Sequence, residues 1–228
     1  MLVPGGTIYL CARTTLKPNL NRCPVIVTGS WNQAIFTPER VSEKLMRLGE
    51  VPGLQVSFGN SGITTRFVAD AVVVSVNNAF LHILPRRGDA ATQNLLEAIA
   101  DRSLEWLPET PITGVGVNFG FDVDEESDAI DSLFRGPCDE FDRIAASVES
   151  INITRSAPID DHVLNMSLVR SAQSVKLDMN HHFDAHSAGD ARDKLRGAVS
   201  RCRNLSIELA RKLYGLMSED SWTSPQDA

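Results

Sequence analysis

Val163-Leu164-Asn165-Met166-Ser167-Leu168-Val169-Arg170 and Val175-Lys176-Leu177-Asp178-Met179-Asn180-His181-His182-Phe183-Asp184, joined by Ser171-Ala172-Gln173-Ser174, decide the fold. Both runs alternate. Leu164, Met166 and Leu168 recur at every second position, as do Val175, Leu177 and Met179. Side chains along a strand point to opposite faces in turn, so this spacing predicts two strands sharing one apolar face. A four-residue loop sets Arg170 opposite Val175 and Asp161 opposite Asp184 in an antiparallel pair. That register puts His181 among the core residues and His182 with Asp184 on the outer face.

The period changes after this hairpin. Ser187-Ala188-Gly189-Asp190 has the spacing of a capping box, with aspartate in place of the usual glutamate. Beyond it, Ala191, Leu195, Ala198, Val199, Cys202, Leu205, Leu209, Leu213 and Leu216 fall in one stripe at about 100° per residue. One long C-terminal helix from about Gly189 to Tyr214 is predicted, with this stripe as core. Its other side is basic and includes Arg196 and Arg203, with Ile207 and Tyr214 beside them. An apolar spot flanked by arginine suits a protein interface. The plainer alternative is a solvated basic face.

Working back toward the N-terminus, Val148 to Arg155 is predicted as a third strand of this meander. Asp124 to Ile144 reads as two short helices broken at Gly136-Pro137. Strands are predicted at Thr7 to Arg13, from Val25 toward Phe36, at Leu54 to Phe58, Thr64 to Val68, Ala71 to Val76, Ala79 to Leu84 and Ile112 to Val123. Asn77-Asn78 suits a tight hairpin because asparagine tolerates positive φ. Thr37-Pro38 starts one helix and Asp89 caps another that reaches about Leu107. The fold class that follows is α+β, mostly antiparallel sheet with helices packed on one face. Residues 1–123 form an N-terminal half and 124–216 the helices, meander and long helix. The two halves could share one core, and 217–228 is a flexible polar tail.

Composition narrows function. A net charge of −7 disfavours general nucleic-acid binding, which needs a positive footprint. The four cysteines form no C-x-x-C pair, which fits reduced thiols in a cytoplasmic protein. No signal peptide and no membrane span are expected. No G-x-S-x-G elbow or P-loop occurs, and no catalytic residues are assigned.

The first candidate metal group is Asp161, His182, Asp184 and His186. Carboxylates opposed across a sheet repel unless something compensates, and a divalent cation coordinated by carboxylate and imidazole would. This supports an alternative reading as a metal-dependent hydrolase with its site at a strand end. The bland reading is a set of solvated polar residues. The acids Asp122, Asp124, Glu126, Asp128 and Asp131 suggest a calcium loop. Ser127 stands where its turn needs glycine, however, and Leu133 where a bidentate glutamate belongs. Favourable placement at a helix start is the better account.

Gly114-Val115-Gly116-Val117-Asn118-Phe119, and Asp178-Met179-Asn180-His181-His182-Phe183 before the last helix, resemble a family of sporadically distributed prokaryotic proteins of unknown function. The resemblance implies a two-part α+β protein and supplies no catalytic residues. The expected role is a non-enzymatic interaction or assembly protein without a cofactor. It would bind a protein partner or a second copy of itself through Arg196, Arg203, Ile207 and Tyr214.

Overall fold

The longest strand, Ile112–Val123 (β7), lies inside a single mostly antiparallel sheet of eleven strands. The computed structural model describes residues 15–47, 49–59, 62–123, 128–134, 149–171 and 174–218. Along the sheet run Gly53–Gly59 (β3), Gly62–Val68 (β4), Val72–Val76 (β5), Phe80–Pro85 (β6) and Val25–Gly29 (β2). Then come β7, Ser174–Asp184 (β10), His162–Ser171 (β9) and Ser150–Ile159 (β8). Thr15–Pro18 (β1) also pairs with β7, beyond the part that β2 occupies. Met217–Ser218 (β11) adds to β1 in parallel, so the expected tail begins inside the sheet. The strand expected at Thr7 to Arg13 lies outside the described residues, as does the 136–144 stretch of the expected second short helix.

The hairpin register is the expected one, with Arg170 opposite Val175 and His181 opposite Leu164. Asp178 to Phe183 pairs in turn with Gly120 to Val115 of β7. The second half of the chain is thus laid directly on the last strand of the first half. One hydrophobic cluster draws residues from both sides of the 123/124 boundary. Other expectations are adjusted locally. Gln33–Ile35 is a short 3-10 turn rather than the end of a strand. Asn77 makes its turn by accepting from the N–H groups of Ala79 and Phe80. The helix at Pro38–Arg40 (α1) continues as a π-helical segment, Val41–Met46, and ends at left-handed Arg47.

Parity separates the two faces. Val25, Val27, Leu81, Ile83, Val115, Val117, Val175, Leu177, Met179 and Phe183 are buried on one side. Ala90–Trp106 (α2) packs against β2 and β6, with Leu96, Ile99, Ala100 and Leu104 inward. Asp128–Phe134 (α3) buries Ile130 and Phe134. On the other face β7 presents Gly114, Gly116, Asn118, Gly120 and Asp122, so three of five positions there lack a side chain.

The C-terminal helix departs from expectation. It is two helices, Ala188–Leu195 (α4) and Ala198–Tyr214 (α5), separated at Arg196 and Gly197. Gly197 is left-handed at φ 68°, a conformation glycine takes without steric cost. Its N–H and that of Val199 donate to the Glu97 carboxylate of α2, at 2.7 and 3.3 Å. That side chain supplies the cap that α5 lacks locally. The second helix buries Ala198, Val199, Cys202, Ser206, Ala210 and Tyr214. The row at every fourth residue is mostly small, so α5 can approach its neighbours closely.

Candidate functional site

The phase change moves the expected interface. Tyr214 is buried, and its hydroxyl accepts from Arg155 Nη1 of β8 at 3.1 Å. Ile207 is partly buried against the core, whereas Leu213, expected inward, is half exposed. Arg203 is intermediate in exposure; Arg196 is exposed and pairs with Asp193 at 3.3 Å. The four residues therefore do not form one outward patch. The expected and observed stripes of α5 share Ala198, Val199 and Cys202 and part only after them, with Ser206, Ala210 and Tyr214 buried where Leu205, Leu209 and Leu213 were expected. The basic side is also partly neutralised. Arg192 bonds Asp101 of α2 through Nε at 2.7 Å and Nη2 at 3.2 Å, and Lys212 pairs with Glu208.

The strand-end group is brought together only in part. His182 Nε2 lies 3.3 Å from Asp184 Oδ1 on the open side of the sheet. Asp161 sits in the turn between β8 and β9, beside Asp160 with φ 50°, and its Oδ1 meets His162 Nδ1 at 3.3 Å. The backbone N–H of His186 donates to Asp190. Among the described residues, one group of three or more metal-type donors converges within 4.8 Å, and it is a different one: His162, His181 and Cys202.

This group lies where two strands meet α5. His162 opens β9, and its parity puts it on the face of Leu164, Met166 and Leu168. His181 is on the same face of β10, as expected, and is fully buried. The inner nitrogens, His162 Nε2 and His181 Nδ1, are 2.9 Å apart. The outer ones meet oxygens: His162 Nδ1 faces Asp161, and His181 Nε2 is 2.8 Å from Ser206 Oγ of α5. The His162 ring stacks on Phe183 at 4.8 Å and Phe119 meets His181 edge-on. Burial, and then the neighbouring His162, pushes His181 down to about 4. Burial likewise pushes the Cys202 thiol up to about 12. Hydrogen-bond contacts run from Asp161 through His162 and His181 to Ser206, which is too deeply buried to act on a substrate. His162 stands apart in sequence from the histidines at 181–186, which hides its place beside His181. Extending the alternation two residues before Leu164 would have found it.

The open face carries a second feature, a groove of about 580 Å³ lined by Arg22, Ile26, His82, Asn118, Asn165 and Asn180 among others. Its amides satisfy one another across four strands. Ser156 Oγ donates to Asn165, Asn165 to Asn180, Asn180 to Asn118, and Asn118 to the Pro24 carbonyl. Arg22 braces one end through Asp178 at 2.8 Å and Asp122 at 3.1 Å. Asp122 also accepts from Asn19, so this member of the suggested calcium loop is already engaged. Residues 124–127 of that loop lie outside the described residues.

A third feature is the hairpin of β3 and β4 at the sheet margin. Leu54, Val56, Phe58 and Ile63 are 52, 49, 81 and 49 % exposed. Leu54 pairs with Phe67, Val56 with Thr65 and Phe58 with Ile63. Because Phe67 is fully buried, this row continues the core face past the cover of the helices. Among the described residues no helix is long and apolar enough to cross a membrane. Comparison with protein-family models, curated proteins and solved structures returns no match for this chain.

Proposed function

We propose that this is a non-enzymatic interaction or assembly protein that pairs with a second copy of itself through the outer edge of β3. The observation that carries the reading is the overhanging apolar row Leu54, Val56, Phe58 and Ile63 on a strand whose other edge is free among the described residues. Such an edge presents a row of backbone donors and acceptors to another strand. Proteins blunt edges they do not use with charge or proline. The opposite margin, β8, carries Arg155 and Pro158, whereas Gly53–Gly59 contains neither charge nor proline.

The strand is also self-complementary. An antiparallel pair centred on Val56 sets Val56 against Val56 and Leu54 against Phe58 of the second copy. All of them lie on one face. This two-fold contact closes, so it yields a dimer rather than a filament. The metal-hydrolase alternative has less support, because Asp161, His182, Asp184 and His186 do not converge among the described residues.

Sedimentation velocity over a concentration series tests the proposal. Wild type is expected to shift toward a dimer as concentration rises, and Val56→Lys to remain monomeric with an unchanged circular dichroism spectrum. A wild type that stays monomeric to several hundred micromolar, or a Val56→Lys variant that dimerises equally, would overturn it.

A further inference from the structure

We propose that His162, His181 and Cys202 form an N,N,S binding site for a borderline-soft metal ion such as zinc, tying β9 and β10 to α5. The inference is independent of the dimer reading. Three observations carry it together. The donor atoms come from three separate elements yet lie within 4.8 Å of one another. Both imidazoles turn a nitrogen inward, with those two atoms 2.9 Å apart. Each outer nitrogen is held by an oxygen, the Asp161 carboxylate at 3.3 Å and the Ser206 hydroxyl at 2.8 Å.

That last feature separates this group from a chance meeting of side chains. Histidine ligands commonly bond through the second nitrogen to a carboxylate or other oxygen, which fixes the tautomer and orients the ring. Imidazole with thiolate selects zinc over the hard cations, which prefer oxygen ligands. Metal–nitrogen distances of about 2.0–2.1 Å require the two inner nitrogens to separate by a few tenths of an ångström, and a metal–sulfur distance of about 2.3 Å requires the Cys202 sulfur to close to about 3.5 Å from each.

The proton balance is simple. Without metal, one tautomer set that fits these contacts has Ser206 O–H donating to His181 Nε2, His181 Nδ1–H to His162 Nε2, and His162 Nδ1–H to Asp161. On binding, the His181 proton moves to Nε2 and is donated to Ser206, whose hydroxyl becomes the acceptor. His162 keeps its tautomer. Cys202 loses its thiol proton to solvent, so one proton is released per ion. Three protein ligands leave a fourth position for water or another donor. The surroundings are apolar, with Phe119 and Phe183 against the rings. The expected role is therefore to fasten helix to sheet rather than to turn over substrate.

The test uses the full chain without an affinity tag, stripped with chelator and titrated with zinc or with cobalt as a coloured substitute. One equivalent should bind, raise the melting temperature, and with cobalt give a thiolate charge-transfer band in the near ultraviolet. Cys202→Ala should lose the band and bind at least tenfold more weakly, and His162→Gln should bind at least tenfold more weakly. Melting of each variant without metal shows whether the fold survives. Absence of binding by wild type at a hundred micromolar zinc would overturn the proposal. So would binding that persists in Cys202→Ala but is lost in His182→Ala, since that places the ion at the strand end.

Discussion

His82 should make the protein acid-sensitive, and its replacement should remove a measurable part of that sensitivity. The ring lies on the open face of β6, between Ser75 of β5 and Ile26 of β2, with Phe80 edge-on at 6.1 Å. Its Nε2 is buried without a hydrogen-bond partner among the described residues. Burial first, and the Arg66 charge second, push it from 6.5 down to about 4. The sign follows from proton counting. Between pH 6.5 and 4 the unfolded chain binds a proton here that the folded chain refuses, so stability falls as pH falls. Stability from this group is intact above pH 6.5 and lost progressively down to about 4. At about 1.4 kcal/mol per pKa unit the full loss is about 3 kcal/mol, an upper value because the ring is partly exposed. Urea unfolding followed by circular dichroism at pH 7.0 and 4.5 measures it. His82→Leu puts an apolar side chain of similar size in place of the imidazole and should change stability at pH 7.0 by about 1 kcal/mol or less. Its drop between the two pH values should be smaller than that of wild type by about 2 kcal/mol. An equal drop in both proteins would refute the reasoning, since other titrating groups act alike in each.

Two other substitutions test how the halves are held. Glu97→Ala removes the acceptor for the Gly197 and Val199 N–H groups and should cost about 1 kcal/mol in urea unfolding, with Glu97→Gln costing less. Gly120→Ala would set a Cβ 2.3 Å from the Arg22 Cβ and 3.0 Å from an Asp178 oxygen, so the backbone carrying Arg22 would have to shift, and its side-chain brace with it. A loss of about 1–3 kcal/mol is expected by the same measurement, and a neutral result would show that the Arg22 brace can shift freely.

The C-terminal meander was legible because its period is short and its loop leaves little choice of register. Leu164, Met166 and Leu168 against Leu177 and Met179 allow one inward face, and His181 falls on it by parity. The same parity puts His162, two residues before Leu164, on the inward face of its strand. The β7 glycines read as a close-packing signal, and at Gly114 and Gly120 the contacts of a hypothetical Cβ with His182 and Arg22 show why.

What the sequence determined by itself is the alternation of strands, the turns and the hairpin register, because these depend on neighbours a few residues apart. What only the tertiary structure decided is which side of α5 is inside, which donors meet, and how far the helices cover the sheet. A single left-handed glycine, held by Glu97 about a hundred residues earlier, divides the last helix in two, and the second part sets Cys202 and Ser206 beside the histidine pair. The same tertiary fit leaves Leu54, Val56 and Phe58 uncovered, although their pattern alone reads as that of any half-buried strand. Local periodicity carries no information about where a neighbouring layer ends, and that is a matter of packing between distant segments.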